Sequence, residues 1–153
     1  MNNIVLFVST EEFDPISALI REKTECSWSH VGFYRLSDQM TFSAMCDGKG
    51  VAWRPVKPSQ KMLLLDCSAP EAAAKALACA LTQAGKAYNT LDIAGIALAR
   101  DWSSANQFIC STLVLWAFEQ INFPLINMEF IPLEHLTPRD VLLSNLLTAR
   151  KAQ

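Results

Sequence analysis

The sequence lacks several features that would point to particular classes of protein. It has no excess of basic residues, since 13 Lys and Arg stand against 15 Asp and Glu, and this balance argues against nucleic acid as the main partner. It has no apolar run near the ~20 residues of a membrane span. Residues 1–8 lack the basic start and the apolar core of a secretory signal. We therefore expect no transmembrane segment and a protein that is cytoplasmic as synthesised, with delivery to the cell envelope by phage lysis or a secretion system as the alternative.

The cysteines and the overall composition limit the fold. Five cysteines without a CxxC pair favour reduced thiols over a disulfide framework. A hydrophobic share of 51% in 153 residues is enough for one core, and no repeat or linker divides the chain. Strand patterns come first and helix patterns follow, which predicts one α+β domain over residues 1–153. The expected strands are 3–9, 30–36, 40–44, 51–54 and 61–67, and the expected helices are 16–23, 71–84, 91–100, 109–120 and 138–147.

Two residues suggest a nucleophile and its base. Cys110 stands where an apolar helix begins, and a helix N-terminus stabilises the thiolate form of a cysteine. His30 stands at the head of an apolar strand, from which an imidazole can face across a groove toward a helix end. Because a nearby imidazolium also favours the thiolate, we expect the pKa of Cys110 to lie below the usual value of about 8.5.

A third group usually holds such an imidazole in its reactive orientation. If the hairpin after His30 turns at residues 37–38, Ser43 becomes a diagonal neighbour of the histidine on the same face of the sheet. Asp47 points to that side as well if the strand continues, and it supplies a carboxylate. Ser43 is therefore a candidate third member and Asp47 the alternative, although a slip of one residue would move both away.

Less reactive interpretations apply to the same residue types. A lone cysteine in an apolar helix is more often a small buried hydrophobe than a nucleophile, and Cys26, Cys46, Cys67 and Cys79 are interpreted in that way. A metal site built from Cys26, His30 and Cys46 would have no ligand pair at typical zinc spacing. We therefore expect neither a metal nor another cofactor.

Five short segments carry a resemblance that spans nearly the whole chain in order. The first two are Asp-Pro-Ile-Ser-Ala-Leu-Ile-Arg at 14–21 and Trp-Ser-His-Val-Gly at 28–32. The others are Gly-Lys-Ala-Tyr-Asn at 85–89, Phe-Ile-Cys-Ser-Thr-Leu-Val at 108–114 and Leu-Thr-Pro-Arg-Asp at 136–140. Together they resemble the circularly permuted papain-fold hydrolases of the NlpC superfamily, the YiiX-like group related to lecithin retinol acyltransferase. The histidine precedes the cysteine here, as it does in that permuted branch.

The resemblance implies a fold and a pair of catalytic residues. The fold is the permuted papain-like (NlpC-type) α+β fold, in which an antiparallel sheet packs against a helix that carries the nucleophilic cysteine. Cys110 corresponds to the nucleophile and His30 to the base. The Tyr in the segment at 85–89 makes Tyr88 a candidate substrate-binding residue beside Trp28, with packing as the alternative role of both.

Two positions differ from the pattern of this family. Ser43 stands where Glu or His is common, so the orientation of the imidazole depends on Ser43 itself, on Asp47 or on a backbone group. Thr112 replaces a common Glu, and this change bears on helix packing or substrate contacts.

These observations lead to one expected function and two alternatives. The expected function is a cysteine hydrolase that cleaves an amide bond, in a cell-wall peptide or an N-acyl amino acid, through an acyl-enzyme on Cys110 with His30 as base. The first alternative is a lipid acyltransferase or thioesterase that uses the same two residues. The second is a catalytically silent binding module. The expected partner is an amide- or acyl-bearing substrate, such as a peptidoglycan fragment or a lipid.

Overall fold

Six antiparallel strands form one sheet in a computed structural model that describes residues 3–87, 109–129 and 131–151. The strands are β1 (Ile4–Glu11), β2 (His30–Arg35), β3 (Met40–Met45), β4 (Gly50–Pro55), β5 (Gln60–Cys67) and β6 (Leu147–Ala149). The helices are α1 (Pro15–Thr24), α2 (Pro70–Leu81), α3 (Cys110–Gln120) and α4 (Pro138–Leu142), with a 3-10 turn at Leu133–His135. The order across the sheet is β4-β3-β2-β1-β5-β6. The predicted α+β class is confirmed.

The sheet has two different faces because successive side chains of a strand point to opposite sides. On one face, apolar residues of β1 to β5 pack against α2 and α3 in the main core. The members of this core that matter for the site are Val8, Val31, Phe33 and Ala44. The other face carries a smaller cluster of Val5, Phe7 and Tyr34. The two faces matter below because β2 presents a different set of residues to each.

Helix α3 is fixed at its N-terminus by hydrogen bonds from its first turn. The backbone N–H of Ile109, the residue before the helix, donates to Thr112 Oγ1 at 3.0 Å and so has a hydrogen-bond partner. Ser111 Oγ donates to the carbonyl of Leu136 at 2.7 Å and ties the helix start to the chain ahead of α4. Although α3 is apolar on nearly all sides, neither it nor any other helix in the described part of the chain is long and apolar enough to span a membrane.

The expected helix at 138–147 is wrong in its second half. Helix α4 ends at Leu142, and residues 147–149 pair with β5 as a sixth strand. The chain leaves the helix because Ser144 Oγ donates to the carbonyl of Leu125 and accepts from the N–H of Leu146 at 3.3 Å. The expected helix at 91–100 lies outside the described residues.

Candidate active site

The hairpin of β2 and β3 brings Ser43 to His30. Phe33 pairs with Phe42, which is the register that a turn at 37–38 predicts. Ser43 is fully buried, and its Oγ lies 2.9 Å from His30 Nε2 in a hydrogen bond. Ser43, the candidate third member, is therefore hydrogen-bonded to the imidazole, as the diagonal pairing predicts. This bond engages the Nε2 atom of the ring.

Gly32 makes this contact sterically feasible. A Cβ at this position would lie 2.7 Å from Phe7 Cε1 and 2.8 Å from Ser43 Cβ. The Phe7 ring also packs against the imidazole, with 5.7 Å between the ring centroids. The absence of a side chain at Gly32 thus leaves room for the two groups that hold His30 on either side.

Asp47 has a different partner from the one that a triad would require. Its two carboxylate oxygens accept hydrogen bonds of 2.7 Å from Nε and Nη2 of Arg54, and one of them also accepts from the N–H of Lys49 at 3.0 Å. Among the described residues, the His30 ring has no hydrogen bond to Asp47. Because Arg54 competes successfully for the carboxylate, Asp47 acts on the imidazole only through its charge.

Cys110 is the first residue of α3 and is 2% exposed. The pKa of its thiol is raised to about 11, chiefly because the sulfur is buried, and the backbone N–H groups of Val31, Ser111 and Cys110 act in the opposite direction. The expectation of a depressed pKa is wrong, because removal of the thiolate from water outweighs the helix start and the three donors. The resting thiol is protonated.

His30 is held in its neutral form. The pKa of its imidazole is lowered from the usual 6.5 to about 4, chiefly by burial and also by the positive charges of Arg54 and Lys57. The carboxylate of Asp47 opposes them and raises it. The resting pair at neutral pH is therefore a thiol and an uncharged imidazole rather than a thiolate and an imidazolium.

Cys110 and His30 lie on different faces of strand β2. The N–H of Val31, which directly follows His30, lies close enough to the Cys110 sulfur to lower the pKa of the thiol. The imidazole itself lies on the Phe7 face of the sheet, whereas Val31 points into the core that α3 covers. In the described part of the chain, no hydrogen bond joins the thiol directly to the imidazole.

A cleft of about 140 Å³ opens beside the imidazole. It lies between the end of β1, the start of α1 and the loop ahead of β5, and His30 lines one wall. Its polar lining includes Glu11 and Lys57, which form an ion pair of 3.0 Å. Cys110 is not among the residues that line it. The cleft offers charged and hydroxyl groups to a molecule that approaches His30.

The remaining predicted site residues are not gathered at this cleft. Trp28 is partly buried and packs against the main core. Tyr88 lies outside the described residues. Cys26 is partly buried and Cys46 is exposed, and in the described ranges no three His, Cys, Asp or Glu side chains lie close enough together to hold a metal ion.

Sequence reasoning missed one residue near the site, Arg54. It is the buried charged side chain of an otherwise largely apolar strand, β4, and it organises the Asp47 turn. The available signal was its position: a strand paired with β3 places one of its residues on the face of Ser43, and a lone arginine there suggests a buried ion pair.

No family model and no curated protein matches the chain. The crystal structure of metalloprotein yiiX (DUF1105) from Escherichia coli O157:H7 superposes on it with a TM-score of 0.70 and 17% sequence identity, covering 100% of this chain and 97% of that one. At this identity the likeness concerns the fold. The chain therefore has a YiiX-like α+β fold built on a six-stranded antiparallel sheet.

Proposed function

We propose that this protein is a cysteine hydrolase that cleaves amide bonds, with Cys110 as nucleophile and His30 as general base. One observation supports the proposal: Ser43 Oγ holds the His30 imidazole through Nε2 at 2.9 Å, while Cys110 begins α3 close enough to the N–H of Val31, the residue after His30, for that N–H to lower the pKa of the thiol. With Nε2 engaged, Nδ1 is the ring nitrogen that remains for the proton of the thiol. A nucleophile, a base and an orienting group are the three roles that such a reaction requires, and the proposal assigns them to Cys110, His30 and Ser43.

The proposed reaction starts from the neutral pair. Because Cys110 does not line the cleft, the reaction requires a movement that brings its sulfur to the imidazole and the substrate. His30 then takes the thiol proton as the sulfur attacks the carbonyl carbon and the C=O electron pair moves to the oxygen. Backbone N–H groups at the start of α3 stabilise the oxyanion. The protonated imidazole gives its proton to the amine as the C–N bond breaks, which leaves an acyl-enzyme. Water then attacks the thioester with His30 as base, and the acid and the free thiol are released.

The lining of the cleft favours a polar amide over a lipid. Glu11, Lys57 and Asp14 put charges of both signs within reach of a molecule beside His30. Burial of an acyl chain against these groups would cost the hydration of each one that it covers. A cell-wall peptide or an N-acyl amino acid can instead exchange water for hydrogen bonds there. The lipid acyltransferase or thioesterase activity is thus the weaker alternative.

A substrate panel tests the proposal. Peptidoglycan stem peptides, N-acyl amino acids and phospholipids are incubated with the wild type and with Cys110→Ala, and released products are quantified by mass spectrometry. We expect release from an amide substrate by the wild type and none by the variant. Cys46→Ala is the matched control, because it removes an exposed thiol that lines the cleft. Equal release by the wild type and Cys110→Ala would contradict the assignment.

A second candidate function, a binding module without catalysis, is favoured by the burial of Cys110. A thiol that is 2% exposed with a pKa raised to about 11 behaves as a core side chain. A binding module would hold the same peptides in the cleft and release no product. Calorimetry of the wild type and Cys110→Ala with the intact peptides separates the two functions, because only the hydrolase consumes its ligand.

The structural neighbour yiiX is named a metalloprotein, and this raises the question of a metal here. The ligand set does not fit one in the described part of this chain, since Cys26, His30 and Cys46 do not form a cluster with each other or with a carboxylate. The imidazole nitrogen Nε2 is engaged by Ser43. No step of the proposed reaction uses a metal.

A further inference from the structure

Arg54 is a buried arginine whose donors are all engaged within the hairpin of β3 and β4. Nε and Nη2 bind the two oxygens of Asp47, and Nη2 also donates to the carbonyl of Gly50 at 2.7 Å. Nη1 donates to the carbonyls of Ser43 and Ala52 at 2.9 Å and 3.0 Å. Five hydrogen bonds from a planar guanidinium fix both the position and the orientation of these groups.

This arginine lies on the side of the sheet that His30 uses. Arg54 pairs with Thr41 across β3 and β4, and cross-strand partners share a face. Thr41 and Ser43 are two residues apart in β3, so their side chains point to the same face as well. The guanidinium therefore holds the backbone of the residue whose hydroxyl holds the imidazole.

We propose that Arg54 and Asp47 form a positioning pair for His30: the guanidinium fixes the strand segment that carries Ser43, and the two opposite charges act on the imidazole in opposite directions. This inference rests on the proposed function for its catalytic meaning. Neither residue touches the substrate or the reacting atoms. Their role is to present a neutral, oriented base to the thiol.

Charged groups on several neighbouring elements act on the imidazole. Arg54 on β4 and Lys57 ahead of β5 disfavour the imidazolium, and Asp47 in the turn after β3 favours it. Glu11 on β1 lines the same cleft but is paired with Lys57, and Asp14 caps α1 by accepting from Ser17. Asp47 keeps its charge through the range in which His30 titrates, because Arg54 holds the pKa of that carboxyl at about 2.

Loss of either member of the pair should shift the pKa of the imidazole, and the two shifts should have opposite signs. This difference distinguishes a positioning role from simple support of the fold. Arg54→Gln removes a positive charge and leaves Asp47 uncompensated, so the pKa of His30 rises by roughly one pH unit. Asp47→Asn leaves the guanidinium uncompensated, so the same pKa falls. If the pair only supported the fold, both variants would open the site to water and both would move the pKa upward toward 6.5.

Proton NMR of the imidazoles measures this difference without any need for activity. The chain has two histidines, so His135→Gln assigns the His30 signal. The titrations are made in a Cys110→Ala background, which removes any contribution of the thiol. Arg35→Gln and Asp38→Asn are the matched controls, because they break an ion pair at the other end of the same hairpin and should leave the titration of His30 unchanged.

The outcomes are distinct from those of the substrate panel. Opposite shifts in the two variants support the positioning pair even if no hydrolysis is found, in which case the hydrolase proposal alone fails. Shifts in the same direction, or no shift, overturn the pair even if hydrolysis is found. If Arg54→Gln does not fold, Arg54→Lys is the second variant, because it keeps the positive charge but not the planar array of five donors. The pKa of His30 should then stay near that of wild type, while turnover should fall about tenfold. An upward shift in the lysine variant overturns the proposal.

Discussion

The rate at which Cys110 is alkylated should depend on pH in a way that follows from its burial. With a pKa raised to about 11, only about one thiol in ten thousand is ionised at pH 7. A free cysteine with a pKa near 8.5 is about 3% ionised at that pH. Cys110 should therefore react with iodoacetamide roughly 300-fold more slowly than a free thiol at pH 7, before any shielding by its 2% exposure is counted. The rate should rise about tenfold for each pH unit up to about pH 10.

Peptide mapping by mass spectrometry measures this rate for each cysteine in the native protein. Cys46 provides the internal reference, because it is exposed and lies near the same cleft. Alkylation in denaturant gives the maximum for each peptide. Modification of Cys110 at pH 5 to 6 that is faster than that of Cys46 would refute the reasoning, since it would require a thiolate that the burial of the sulfur disfavours.

Three further predictions concern stability and are measured by urea unfolding. His30 binds its proton less readily in the folded state, so the unfolded chain takes up more protons between pH 6.5 and 4. The free energy of unfolding should therefore fall by up to roughly 3 kcal/mol as the pH falls through this range. His30→Gln should flatten this slope, and equal slopes would contradict the partly buried neutral imidazole. Gly32→Ala should lower the free energy of unfolding by about 1–3 kcal/mol, because its Cβ would overlap Phe7 and Ser43. Gly48→Ala, where a Cβ meets nothing within 4 Å but φ is +84°, should cost only about 1 kcal/mol of backbone strain; a larger loss than for Gly32→Ala would contradict the steric account. Ser111→Ala should lower the free energy of unfolding by about 1–3 kcal/mol, because it leaves the buried carbonyl of Leu136 without a hydrogen bond. Ser37→Ala, whose partner is exposed, should change this free energy by less than about 0.5 kcal/mol. Similar losses in both variants would show that burial does not set the cost.

The contact between His30 and Ser43 could be predicted from the sequence because it depends on local geometry. A two-residue turn fixes the register of an antiparallel hairpin, and the register fixes which side chains share a face. The strand and helix patterns around it are strong for the same reason: they depend on periodicity within a short window. The start of α3 at Cys110 likewise follows from the apolar run that begins there.

The electrostatics of the site could not be predicted in this way. The pKa of Cys110 depends on how deeply the strands bury the helix start, and that depth is a property of the whole core. The partner of Asp47 depends on β4, a strand whose arginine becomes relevant only when its pairing with β3 is known. Strand β6 was missed because three residues after a helix give too short a pattern, and only their pairing with β5 defines them.

The account depends most on Cys110 as the residue that becomes acylated. The direct measurement is the intact mass and peptide map of the protein after rapid acid quenching during turnover of an activated N-acyl amino acid ester at neutral pH. The account predicts one acyl adduct on Cys110, absent in Cys110→Ala, reduced at least tenfold in His30→Gln and unchanged in Cys46→Ala. An adduct on Cys46, or one on Cys110 that forms equally fast without His30, would contradict it.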